Sequence, residues 1–170
     1  LNDLSRYICA NLPKVDEMKA RLEEVMNRKE QSLLLTLIGA ISAASGFIVF
    51  FGGNLYDAVA GIFMAVLVVA LRKFFFSREN NQLVLNFATS FVAGIFALML
   101  MHIGIPVHED KIMMGGIMLL IPGIAMTNAV RDMLIGDIAS GLLRLSNALM
   151  VAASIACGFA MAIALFGGVL

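Results

Sequence analysis

Apolar residues run too far along this chain to be the one dry face of a helix or strand. Five stretches carry no Asp, Glu, Lys or Arg: residues 31–56, 58–71, 80–108, 112–130 and 145–170. A membrane-spanning helix needs ~20 mainly apolar residues, and four of the stretches meet or nearly meet that length. The second holds 14 residues. Leu55 and Tyr56 extend it at one end, while at the other Arg72 and Lys73 can snorkel beside Phe74, Phe75 and Phe76 at the interface. The pattern predicts an all-α membrane protein with five transmembrane helices.

Residues 1–30 follow another rule. After Pro13, the apolar positions Val15, Met18, Leu22, Val25 and Met26 recur at helical spacing with charges between them. This predicts a cytosolic amphipathic connecting helix. Its polar face carries both charge signs, whereas a membrane-surface anchor favours a basic one. The expected organisation is therefore a connector over 1–30 and a five-helix transmembrane domain over 31–170. With no starting Met and no signal-peptide pattern, Leu1 reads as the cut end of a longer protein, and the connector as the end of an upstream soluble domain.

Composition enforces the lipid reading. Hydrophobic residues make up 61% of the chain and charged residues 14%, against roughly 45–50% and 25% in soluble domains. Twelve basic and twelve acidic residues cancel, so charge gives no reason to expect a nucleic-acid partner. Half of each sign lies in residues 1–30. The two cysteines, Cys9 and Cys157, stand on either side of several spans, which argues against a structural disulfide.

The remaining basic residues set orientation, because short basic loops stay cytoplasmic. The N-terminal segment has six Lys/Arg, and the loop over 51–54 has none. The next connection has Arg72, Lys73 and Arg78, the third only Lys111, and the fourth Arg131 and Arg144. All agree on a cytoplasmic N-terminus and an outer C-terminus.

The scarce polar groups within the apolar half concentrate over 121–147. Pro122 and Gly123 fall within the fourth stretch, where Pro removes a backbone donor and Gly adds freedom. The fourth helix is expected to break there, and broken helices build midplane sites in many transporters. Asn128, Arg131 and Asp132 follow at i, i+3 and i+4; Asp137, Ser140, Arg144 and Asn147 form a second set at helical spacing. Ionisable groups at this depth are expensive and commonly line an ion or substrate path. A carboxylate beside Arg can take up and release a proton, and Arg suits a substrate carboxylate. The simpler reading makes 131–144 a cytoplasmic turn, with Gly136 closing one helix and Asp137 capping the next.

Weaker signals lie elsewhere. Asp57 is either a proton acceptor near the outer side or, in Asn54-x-x-Asp57, the capped first turn of the second helix. His102, His108, Glu109 and Asp110 match no established zinc spacing and read as an interfacial loop. Asn86, Thr89 and Ser90 either bond between helices or line a pore, and Ser42/Gly46 and Ser154/Gly158 mark close helix contacts, within the chain or between subunits. No phosphate loop, zinc-protease motif or serine elbow is present. No enzyme, catalytic residue, metal or cofactor is expected. A non-transporting membrane scaffold that anchors a soluble domain or assembles a complex is the competing class.

The run PGIAMTNAVRDMLIGDIASGLLRL, preceded by GGIMLL, resembles the signature of the threonine/serine exporter family. The likeness extends to LTLIGAISAASGFIVFFGGNLYDAVAGIFMAVLVVALRK and to LNDLSRYICANLPKVDEMKARLEEV, so it covers essentially the whole chain. The resemblance implies half of an inner-membrane secondary transporter, completed by a second five-span half or subunit in an oligomer. It implies export of threonine and serine or of small dicarboxylates, driven by the proton-motive force. Asn147 departs from the pattern, in which Glu is common at that position.

Overall fold

The computed structural model describes residues 2–11, 13, 15–26, 32–76 and 81–168, and every regular element among them is helical. The chain divides into two compact units, Leu1–Leu33 and Leu34–Leu170.

The first unit pairs α1 (Asn2–Asn11) with α2 (Val15–Met26). Sequence periodicity points to α2 alone, so α1 is an addition. Asp16 and Glu17 occupy the first turn of α2, where acidic groups complement the helix dipole. The Tyr7 hydroxyl donates to Glu17 Oε1 at 2.8 Å, and the Arg21 guanidinium lies 3.7 Å over the Tyr7 ring. The bond to Glu17 pushes the Tyr7 phenol above its ordinary value.

The second unit contains α3 (Leu33–Phe50), α4 (Leu55–Phe76), α5 (Gln82–His102), α6 (Glu109–Leu120), α7 (Gly123–Leu134) and α8 (Ile138–Phe166). Among these, α3, α5, α8 and residues 55–74 of α4 are each long and apolar enough to cross a membrane. The helices α6 and α7 are individually short, at roughly 18 Å each for 1.5 Å per residue. They are bent by 55° at Pro122, and counted as one span they supply the fifth. As expected, α4 continues through Arg72 and Lys73.

Small residues decide how the helices meet. A Cβ on Gly158 of α8 would strike Ser90 Oγ and come within 2.6 Å of the Phe87 carbonyl; one on Gly94 of α5 would meet Ala162 and Phe159. Numbers rise together on both helices, so α5 and α8 run parallel, and small residues four apart on each let the backbones approach. The Ser154/Gly158 pair is thus used at least partly within the chain. Gly115 and Gly61 similarly admit Ile48 of α3, which is fully buried. The core lies among α4, α5, α6 and the C-terminal half of α8, around Met64, Val68, Leu98, Ile112, Ile155 and Phe159.

That register has a consequence. About 30 Å of helix separates Ile138 from Gly158, against about 12 Å between Gln82 and Ser90. The N-terminal half of α8 therefore outreaches α5, and it packs on α7 instead.

Candidate functional site

The sequence-predicted polar set lies on the α7–α8 hairpin. Gly136 has φ +96°, a left-handed conformation that an L side chain resists. The Gly136 N–H bonds to the Met133 carbonyl at 3.1 Å and the Asp137 N–H to the Asp132 carbonyl at 3.0 Å, a Schellman closure of α7. Asp137 then starts the next helix, its Oδ1 accepting from the Ser140 N–H at 3.2 Å. One residue ends the first helix and caps the second, which keeps the loop short and the helices adjacent. Gly141 holds them close, for a Cβ there would lie 2.8 Å from the Ala129 carbonyl.

This closeness joins Asp132 to Arg144. Arg144 Nε stands 3.2 Å from Asp132 Oδ2, with the Asp132 side chain one-fifth exposed and that of Arg144 more than half. The oxygen is buried without an aligned hydrogen bond, so the attraction is an ion pair rather than a directed bond. Asn128 and Arg131 do not join them; both are exposed. Successive helical residues point about 100° apart, so when Asp132 turns toward α8, Arg131 turns away. Within the predicted set, an acid and a base are paired, a second acid is a cap, and an amide and a guanidinium remain at the surface.

The break is satisfied locally. The Ile121 N–H bonds to the Ile117 carbonyl and the Gly123 N–H to the Ile121 carbonyl, each at 2.9 Å, while Pro122 has no N–H to satisfy. The Thr127 hydroxyl donates to the Gly123 carbonyl at 3.0 Å, and Ser146 and Ser154 likewise bond back into α8. Hydroxyls bonded to their own helix need no partner elsewhere.

Two further polar places lie in the bundle. On α5, Asn86, Thr89 and Ser90 are buried. Ser90 donates to the Phe87 carbonyl, but both side-chain polar atoms of Asn86 and the Thr89 hydroxyl have no partner. At the other end of the bundle, Asp57 is fully buried. It and Asn54 cap each other reciprocally at the start of α4: Asn54 Oδ1 accepts from the Asp57 N–H and Asp57 Oδ2 from the Asn54 N–H, both at 2.8 Å. The sequence suggests this cap. What it does not suggest is that Asp57 Oδ1 also accepts from the His108 N–H at 2.7 Å, with His108 Nδ1 at 2.9 Å from Oδ2. A contact across 51 residues leaves no trace in local spacing. Among the described residues, no three His, Cys, Asp or Glu are grouped to hold a metal, and Cys9 and Cys157 are free thiols.

An apolar helical bundle with a 55° bend between α6 and α7 and a charged hairpin suits a membrane carrier. Comparison with curated proteins and with solved structures gives no match. The family model described as "ThrE: Putative threonine/serine exporter" matches residues 1–166, nearly the entire chain. This multi-pass membrane protein belongs to the threonine/serine exporter family.

Proposed function

We propose that the chain is one half, or one subunit, of a proton-coupled carrier that exports threonine and serine or small dicarboxylates across the inner membrane. A second five-span half completes it, and the assembly is oligomeric. The N-terminus and the α1–α2 unit are cytoplasmic and the C-terminus lies outside. Arg131, exposed and without an ion-pair partner among the described residues, meets the substrate carboxylate, while Asp132 and Arg144 exchange partners as it passes. Asn128 lines the same approach, and Asp137 holds the hairpin in register.

The observation that carries this reading is the Asp132–Arg144 pair, held at 3.2 Å across the α7–α8 hairpin, on the helix that follows the 55° break. Ionisable groups on the helices of an apolar bundle commonly line an ion or substrate path. The test is reconstitution with the partner half and measurement of labelled threonine, serine and succinate export. Native rates in Arg131→Ala and Asp132→Asn for every substrate moved would sink the site assignment.

A further inference from the structure

The Asp57–His108 pair is not needed to explain the hairpin, and it is more elaborate than a helix cap requires. Asn54 already caps α4 through its own side chain. A buried carboxylate inside an apolar bundle is costly unless it is paired. Asp57 has 0% exposure, whereas the His108 side chain is 60% exposed. One end of the pair is sealed in protein and the other meets solvent.

The charged surroundings are few. From α4, the Asp57 carboxylate meets the Asn54 N–H, and from the α5–α6 connection the His108 N–H and ring. Beyond His108 on α6 come Glu109, Asp110 and Lys111; Lys111 is paired with Asp110 at 2.9 Å, and Glu109 Oε2 is buried without a hydrogen-bond partner. The packed helix α3 contributes no ionisable side chain, and α5 carries one, His102 in its last turn. His108 is therefore the ionisable side chain in direct contact with Asp57, and an imidazole can take a proton at one ring nitrogen while the other keeps its hydrogen bond.

We infer that Asp57 and His108 form the proton-binding site at the outer end of the carrier, a reading that rests on the transport function proposed above. Nδ1 faces Asp57, which leaves Nε2 for water. A proton arriving at Nε2 makes an imidazolium whose charge the buried carboxylate balances. The proton stays on the ring, because the Asn54 and His108 N–H groups both donate to the Asp57 carboxylate and hold it as the anion. One proton has entered, and a neutral ring beside a carboxylate has become an imidazolium–carboxylate ion pair, with the added positive charge at its wet end. Because Asp57 belongs to α4 and His108 caps α6, the same step tightens the tie between these two helices, and release of the proton loosens it. The chemistry thus links outside protons to the helices that rearrange.

The experiment uses the full transporter, with its partner half, in proteoliposomes loaded with substrate and a pH-sensitive dye. Substrate exchange, which moves no net charge or proton, is measured beside net export driven by an acid step outside. For His108→Gln we expect exchange within about twofold of native, proton entry and net export reduced at least tenfold, and no remaining dependence on outer pH. Asp57→Asn should behave alike if it folds; His108→Gln keeps the Asn54–Asp57 cap and serves where Asp57→Asn does not. Native proton entry in His108→Gln overturns the inference while leaving the transport reading intact. So does loss of exchange together with proton entry, because the pair is then only a clamp. If the wild-type protein moves none of the substrates, the transport reading falls and this inference with it.

Discussion

Asp132, near the end of α7, and Arg144, early in α8, lie 3.2 Å apart across the turn that Gly136 closes. The contact follows from backbone events rather than from attraction between charges: a left-handed glycine, a Schellman closure and a small residue at 141 bring the two helices together first.

The pair should matter little for stability and much for transport. Arg144 is more than half exposed, and ion pairs with such exposure contribute about 0.2–1 kcal/mol. Arg144→Gln should shift thermal unfolding in detergent by less than that upper limit while lowering export at least tenfold. The charge exchange Asp132→Arg with Arg144→Asp should recover part of the loss. A large drop in stability with normal export would make the pair structural.

Gly158 offers a sharp packing test. A Cβ there meets the Phe87 carbonyl at 2.6 Å and the Phe91 amide at 3.0 Å, backbone atoms that cannot rotate aside. Gly158→Ala should destabilise by about 1–3 kcal/mol, the range for overpacking. Gly46→Ala is the control, because no atom lies within 4 Å of a Cβ at that position. It should leave thermal stability unchanged or raise it through better helix propensity. Equal behaviour of the two variants would contradict the α5–α8 contact.

Asn86 and Thr89 separate stability from function. An unsatisfied buried polar group costs about 1–3 kcal/mol, so Asn86→Leu and Thr89→Val should raise the unfolding temperature in detergent. If these atoms bond to substrate or water during transport, export falls at the same time. Destabilisation by both variants would mean that the groups are satisfied in the folded protein.

Tyr7 supplies a pH prediction for the N-terminal unit. Its phenol is raised above the ordinary value of about 10, first because it donates to Glu17. The protonated form is thus favoured in the folded state. The stabilisation is present below pH ~10 and is lost as pH climbs through the higher folded value. In a Tyr56→Phe background, where Tyr7 is the remaining tyrosine, Glu17→Ala should lower the midpoint of phenolate absorbance. An unmoved midpoint would mean the 2.8 Å bond is not maintained in solution.

Much of this arrangement was legible in the sequence because it depends on local rules. Length of apolar run located the spans, including α4, whose basic end was readable from Arg72 and Lys73. Pro122 and Gly123 marked the bend, since the loss of a backbone donor is a property of the residue itself. Gly136 and Asp137 announced a turn, and Asn54-x-x-Asp57 a capped helix start.

Tertiary structure decided which polar groups face which. Spacing put Asn128, Arg131 and Asp132 together, yet only Asp132 meets Arg144, because α8 approaches from one side. Spacing also left His108 unassigned; its ring reaches Asp57 only when the α5–α6 connection folds over the start of α4. The parallel register of α5 and α8, set by glycines whose missing Cβ atoms admit a neighbour, is likewise invisible along one strand of letters. Amino-acid order determined the elements and their ends, because those rest on contacts within a few residues. The partners of the buried charges depend on how whole helices dock, and only the folded chain determines that.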